Sequence, residues 1–400
     1  MQLETTRHHS NRSRTHLHRR GFSLVEILVV ILIISILMAL LLTAVNGARS
    51  SAESLQSRNR LRNIALAMQQ FRTANGYYPP SYESREYNPN NYADDSRQTF
   101  PGYEHLEGYS IHVLLLPFLE ENLIAEEIDF AKPYNYYVQL AGDNPSGEDR
   151  PLFALADGSE IPLSALRVST YVSPGEPQDE IRQGKHHPIN YAVNLGRWFV
   201  WDPMTGEGGD GAAYPNSRLK DRNFSDGLST TMSFAEVKAW NPYFRDSYRS
   251  HDDLGDVPPE TPAQLAGMIG TPNQYKETAH TEWFNGHAHH SGFTTVFGPN
   301  TKVMIADGDG SGGATVNTSA AGTLDADWTN KQEGKNHFGG TADYSPTYAA
   351  ITARSYFEGS VNVSMMDGSV QQISEGVHLG VWRALSTRAG KEKLPNNPFD

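Results

Sequence analysis

The run from Ile27 to Ala48 constrains this chain more than any other stretch. It holds 22 residues without a formal charge, mostly Ile, Leu, Val and Ala. As a helix it would be roughly 33 Å long, enough to cross the hydrocarbon core of a bilayer. Arg19 and Arg20 stand before it, followed by Gly21-Phe22-Ser23-Leu24-Val25-Glu26. Glu26 sits just inside the leading edge of the apolar run. A carboxylate in hydrocarbon is costly, so it calls for a partner and a functional reason. A secretory signal peptide does not fit, because the run is too long for an h-region and no small-x-small site follows it. A plain signal anchor explains the run but not Glu26 or the Gly21-Phe22 pair.

The stretch from Arg19 to Glu26 resembles the type IV prepilin signature: a basic leader ending in Gly, then Phe, then Glu at the fifth mature position. The resemblance implies that a prepilin peptidase of the cytoplasmic membrane cuts between Gly21 and Phe22 and methylates the new amino terminus. It also implies a single-pass protein of that membrane, leader in the cytoplasm and head outside, periplasmic or at the surface. Charge alone decides orientation poorly, since Arg49, Arg58, Arg60 and Arg62 follow the run.

The chain has 400 residues and no Cys. Disulfides, thiolate metal sites and Cys nucleophiles are therefore excluded. The net charge is −13, and residues 1–21 carry five Arg against Glu4, so removing them takes the chain to −17. Phosphate affinity needs clustered Lys and Arg, so a nucleic-acid partner is not expected. The 35 Gly, 23 Pro and 19 Tyr suit a turn-rich, β-rich head.

From Ala48 to Asn75 there is no Pro, and Gly76 supplies a C-terminal stop. Leu61, Ile64, Ala65, Met68 and Phe71 recur at helical spacing, with Arg58, Arg62 and Gln69 off that stripe. One helix over about 22–75 is expected, its second half packed on the head and broken by Pro79-Pro80. The chain divides into a cleaved leader 1–21, a helix 22–75 (transmembrane over about 24–47) and an extracytoplasmic head 76–400. The fold class is α+β and pilin-like, with a large, mainly antiparallel β head.

Strands are expected near 152–156, 160–163, 168–172 and 189–193, and one ending at Ala235-Glu236. Residues 81–105, 241–280 and 306–346 read as loop or irregular excursion. Alternating apolar residues flank Asp367-Gly368, a hairpin signal for a type I′ turn with positive φ at both central residues. Asp157-Gly158-Ser159 repeats the turn chemistry of Asp367-Gly368-Ser369. Val377 to Ser386 reads as a short closing helix.

The head resembles the prepilin-like proteins carrying the DUF1559 domain, whose C-terminal signature is H-X9-DG. The resemblance is carried by Leu61 to Met68 with Pro79-Pro80, Leu115-Leu116-Pro117-Phe118-Leu119-Glu120, Asn190-Tyr191-Ala192, Ser225-Asp226-Gly227, Trp283 to Asn300, and Asp367-Gly368-Ser369-Val370. Three departures stand out. The signature His position is Phe357. Relatives often have Pro at Thr43, so a helix kink of the family is expected to be missing. Relatives also often carry Cys where this chain has Ser57 and Ser173, which implies that the two positions once formed a disulfide and are neighbours.

Two side-chain groups invite metal readings. His280, Glu282, His287, His289 and His290 form the densest imidazole cluster, and His287 and His289 on a strand would share a face that zinc could use. Loop histidines that hydrogen-bond or stack on Trp283 are the favoured reading. Asp307-Gly308-Asp309-Gly310 places oxygen ligands at alternate positions like part of a calcium loop, so Asp307 and Asp309 are calcium candidates. The distal bidentate Glu is missing, and a flexible Gly-rich loop is favoured; no cofactor is expected. No nucleophile elbow, HExxH or phosphate-cradling loop occurs, so catalysis is not expected.

The resulting expectation is a structural subunit of, or accessory to, a type II secretion pseudopilus or type IV pilus-like filament, its partners prepilin peptidase and pilin-like subunits met through the helix. Glu26, without a fixed partner before assembly, would pair with the Phe22 amine of a neighbouring subunit. The alternative is an anchored, head-outward binding module for a glycan or exported protein that never polymerises.

Overall fold

The computed structural model describes residues 23–83, 108–130, 132, 134–138, 152–155, 157–246, 251–269, 274–306, 323–333, 346–395 and 398–399. The chain forms two compact units, Met1–Ala52 and Glu53–Asp400. A single helix, Leu24–Asn75, supplies the described part of the first unit and the opening of the second, passing through Thr43 without interruption.

In the first unit the helix is apolar all round. Its Leu, Ile and Val side chains are exposed on every face, from Leu24 and Val25 to Leu42 and Val45. A helix of that kind cannot stand in water and needs lipid or other helices around it. It is long and apolar enough to cross a membrane. The Ser35 hydroxyl is absorbed locally, its Oγ donating to the Ile31 carbonyl at 2.7 Å.

In the second unit the same helix becomes one-sided. Leu61, Ile64, Ala65, Ala67, Met68 and Phe71 are buried, as the apolar spacing predicts, while Arg62 is exposed. The helix stops where Gly76 adopts a φ of 78° and donates its N–H to the Arg72 carbonyl at 2.8 Å. Only glycine takes that left-handed cap without strain.

Two five-stranded sheets build the head. The first runs in the order Gly292–Phe293, Tyr191–Asn194, Met232–Glu236, Ser360–Met365, Val370–Ser374. Its strands are antiparallel except the first pair, which is parallel. The second runs Phe199–Trp201, Thr347–Ala350, Asp327–Thr329, Asn241–Arg245, Gln274–Ala279, with a parallel step between the third and fourth strands. The buried helix stripe packs in one core with the first sheet. A second core lies at the other sheet, where Trp198 and Trp328 stack with centroids 5.6 Å apart.

Several expectations need correction. Residues 241–280 hold two paired strands and two short helices rather than an irregular excursion. Pro242 sits where the pairing register shifts between Asn241 and Tyr243, a bulge that removes the need for its missing N–H. Residues 323–325 and 327–329 are also strands, inside a stretch read as loop. The segment near 168–172 is a 3-10 turn, Ser169–Tyr171, closed where the Tyr171 N–H donates to the Val168 carbonyl at 2.9 Å. The strands at 152–154 and 160–162 and the closing helix Leu379–Ser386 lie where expected. Most of the expected surface loop 81–105 lies outside the described residues.

The hairpin over 360–374 forms, but with a different turn. Met365 donates to the Ser369 carbonyl at 2.8 Å, Gly368 donates to the Met365 carbonyl at 3.0 Å, and only Gly368, at φ 87°, is left-handed. This is a three-residue loop ending in a glycine bulge, not a type I′ turn. The same two hydrogen bonds recur before Glu160: Leu155 donates to the Ser159 carbonyl at 2.8 Å and Gly158 to the Leu155 carbonyl at 3.0 Å. In both, the Asp Oδ1 accepts from the Ser backbone and hydroxyl two residues on.

Candidate functional site: the N-terminal element and its anchorage in the head

Gly21 and Phe22 lie outside the described residues. The chain is described from Ser23, whose hydroxyl accepts from the Val25 N–H at 3.3 Å. Glu26 reaches back, its Oε2 accepting the Ser23 N–H at 2.9 Å. Glu26 supplies one arm of a capping box, with the Ser23 hydroxyl turned to Val25 instead of the Glu26 N–H, and the carboxylate lies at the positive end of the helix dipole. Glu26 thus has a fixed partner within its own chain, contrary to the sequence expectation. The Ser-x-x-Glu spacing carried that information.

The second half of the helix is tied to the head by polar contacts placed inside the core. Ser57 is fully buried. Its hydroxyl donates to Glu236 Oε1 and shares a 2.9 Å hydrogen bond with the Tyr191 hydroxyl. Glu236 also accepts from the Asn362 backbone at 2.9 Å and side chain at 3.0 Å. Burial pushes the Glu236 carboxyl above its usual range, and these donors work against that. Ser173 is buried too, and its N–H donates at 2.7 Å to Oδ1 of Asn190, the residue before Tyr191.

Asp367 and Gly368 belong to the same joint. The Met366 carbonyl accepts from Gln69 Nε2 on the helix, while Met366 and Asp367 donate their N–H groups to the Thr231 and Leu228 carbonyls at 2.8 and 3.0 Å. The hairpin tip therefore sits between the helix and the 227–231 turn. Phe357, at the signature His position, is buried, with its ring tip 3.5 Å from the site a Cβ would take on Gly175.

The histidine cluster is a packed one. His287 caps a short helix, Ala288–Ser291, that carries His289 and His290, so the strand that a shared His287–His289 face would require is absent. His287 Nδ1 lies 2.6 Å from Asn285 Oδ1, and His280 Nδ1 lies 3.0 Å from the His290 carbonyl. The stacking partner is Tyr243, 4.8 Å from the His289 ring, rather than Trp283. Glu282 is buried and collects Arg182, the Tyr134 hydroxyl at 3.0 Å, Asn285 Nδ2 at 2.8 Å and His290 Nε2 at 3.3 Å. Burial holds the His290 ring at about 3 and the His186 ring at about 4. Among the described residues no group of three or more His, Asp or Glu is arranged to hold a metal ion. Asp307 and Asp309 lie outside the described residues. Arg182 and His186 escape a sequence reading because they meet Glu282 only through long-range folding.

Comparison with known families fits this geometry. Residues 46–380 match the family described as a protein of unknown function, DUF1559. The chain belongs to the DUF1559 family. Residues 17–42 match the prokaryotic N-terminal methylation motif, which covers Gly21, Phe22 and Glu26 and marks a prepilin-like, membrane-associated chain of the kind prepilin peptidase processes. No curated protein and no solved structure matches.

Proposed function

We propose that this DUF1559 chain is a structural, non-catalytic subunit of, or accessory to, a type II secretion pseudopilus or type IV pilus-like assembly. The observation that carries the reading is the methylation motif at the head of an apolar helix that runs unbroken into a buried stripe. Prepilin peptidase cuts between Gly21 and Phe22 on the cytoplasmic side, and the head lies outside. On assembly the Phe22 amine of one subunit meets Glu26 of its neighbour, and pairing removes two desolvation costs together. The apolar helices then bundle, which covers the side chains exposed in the single chain.

Intact-mass analysis of membrane-extracted protein tests the processing. The expected species begins at N-methylated Phe22, and Gly21→Val retains the leader. Shearing and fractionation test the assembly: mature chain in surface fibres supports the filament role. Mature chain confined to the membrane fraction replaces it with an anchored binding module.

A further inference from the structure

The helix over residues 53–75 buries one stripe and leaves the opposite face uncovered. At about 3.6 residues per turn, Leu55, Asn59, Arg62 and Leu66 fall in one line, across the helix from Leu61, Ile64 and Met68. Leu55 and Leu66 are 58% and 45% exposed, while Leu61, Ile64 and Met68 are fully buried. Arg58 and Arg62 flank the two exposed leucines, and neither guanidinium forms an ion pair among the described residues.

A second surface of the head carries the complementary chemistry. Residues 120–131 hold five carboxylates and no Lys or Arg. Glu120, left-handed at φ 62°, turns the chain out of the 3-10 helix Leu116–Phe118 and toward the short helix Asn122–Ala125. Leu119, Ile124 and Ala125 pack against the head core and Ile128 is buried in it, which fixes the segment. Leu123 is the one apolar side chain of residues 119–128 that the core does not take, and it is 83% exposed. Glu120, Glu126 and Glu127 around it are exposed and make no ion pair among the described residues.

One chain cannot bring these surfaces together. Phe118, at the entry to the acidic segment, sets its ring 5.8 Å from Phe71, on the buried side of the helix. The exposed stripe faces away from Phe71, and its Leu55 end lies roughly 24 Å down the axis. Both surfaces are fixed on one head, so contact between them requires a second copy. The charge distribution favours that contact. Residues 48–75 hold five Arg against one Glu, whereas residues 76–400 hold 43 Asp and Glu against 23 Lys and Arg. Heads of that composition repel one another and attract the helix. A stripe of leucine and arginine meeting a knob of leucine and glutamate covers three exposed leucines and sets opposite charges around them.

We infer that the outer face of residues 55–66 docks onto the Leu123 knob of a second copy of this chain, with Arg58 and Arg62 facing Glu126 and Glu127. The two patches differ, so the contact is head-to-tail. It propagates from copy to copy instead of closing as a two-fold pair. The inference deepens the assembly reading above and rests on it for bringing copies side by side.

The absence of Cys makes crosslinking a clean test. Asn59→Cys lies on the stripe and Asn122→Cys beside the knob, both at exposed positions. The two variants, differently tagged, are expressed together and treated in intact membranes with a short bismaleimide. A crosslink joining the two tags is expected. Arg58→Glu with Arg62→Glu, added to the Asn59→Cys chain, lowers its yield about tenfold, and Glu126→Arg with Glu127→Arg in the Asn122→Cys chain restores it. Absence of the mixed crosslink overturns the inference. So does a yield that charge reversal leaves unchanged, or a loss that the reversed partner does not restore. Shearing the same cells separates this contact from the assembly reading. Fibres without the crosslink keep the assembly and reject the interface, whereas the crosslink in membranes without fibres keeps the interface and rejects polymerisation.

Discussion

The two parts of the Leu24–Asn75 helix differ in what holds them. Residues 24–52 carry apolar side chains on every face, leave them exposed, and satisfy the Ser35 and Ser51 hydroxyls within the helix. Residues 53–75 carry one apolar stripe, bury it, and place Ser57, Gln69 and Arg72 in contacts with residues far along the chain. The backbone is the same, so secondary structure says nothing of the division of labour. The first part is specified by composition alone and accepts any apolar surroundings. The second is specified by position, because a buried hydroxyl or carboxylate costs stability unless its partner lies in one place.

The largest expected effect tests the joint at Tyr191. Ser57 hydrogen-bonds that hydroxyl, and Ser173 is tied through its N–H to Asn190, the residue before Tyr191. Ser57→Cys with Ser173→Cys is expected to oxidise to an intramolecular crosslink. Closing a loop of this length stabilises by about 5 kcal/mol in the chain-entropy account if unstrained. Mobility on a non-reducing gel and the melting temperature of oxidised protein read it. Absence of the crosslink under oxidation would place the two residues too far apart and break the joint.

Core substitution separates the parts directly. Leu61→Ala deletes a fully buried side chain and should destabilise the head by about 3 kcal/mol. Leu32→Ala, in the exposed apolar part, should leave the head's denaturant midpoint unchanged. Equal losses from both variants would mean that the two parts unfold as one cooperative unit.

Histidine titration acts on the head alone, since residues 24–52 contain no His. His112 is fully buried, with Nε2 2.7 Å from the Tyr191 carbonyl and its ring 4.7 Å from Tyr171. Burial holds its pKa at about 4, against an ordinary 6.5. The unfolded chain therefore binds this proton first. The contribution to stability is full above pH 6.5 and is lost as pH falls toward 4, by about 3 kcal/mol at the lower end. His112→Gln should flatten the pH dependence of urea stability in that window by about one proton. An unchanged slope would show that His112 ionises normally in the folded head.

The sequence made the helix, its stripe and its glycine stop legible because each is a local pattern: period, composition, a residue with special φ. The hairpin at 360–374 was legible for the same reason, but its turn type was not. Asp-Gly fits two loop lengths, and the choice rests on the ladder between Met365 and Ser369, which alternation alone does not fix. The second sheet was misread because Pro242 and the Gly- and Asp-rich surroundings mask short strands whose partners lie far away, such as 327–329 beside 241–245. The Glu282 cluster was half legible. Its histidines stood out by density, whereas Arg182 and Tyr134, about 100 and 150 residues earlier in the chain, meet it only in three dimensions.

The smallest effect on head stability is expected at Glu26, and it separates two roles that the sequence merges. The carboxylate accepts the Ser23 N–H within one chain, the Glu arm of a capping box, and the proposed assembly asks it to meet the Phe22 amine of another. A capping box accepts Gln as well as Glu at this position, because a neutral carbonyl oxygen still receives the Ser23 N–H. An ammonium pairs with a carboxylate far better than with an amide. Glu26→Gln should therefore be processed, keep its first helical turn, and fail to enter fibres. Glu26→Ala should be processed, fray over residues 23–27, and fail equally. Amide exchange in micelles reads the first turn, and the sheared fraction reads assembly. Both variants should leave the head's denaturant midpoint where it stands in the parent. Assembly of Glu26→Gln at the parent level would leave capping as the residue's whole function and remove charge pairing from the mechanism.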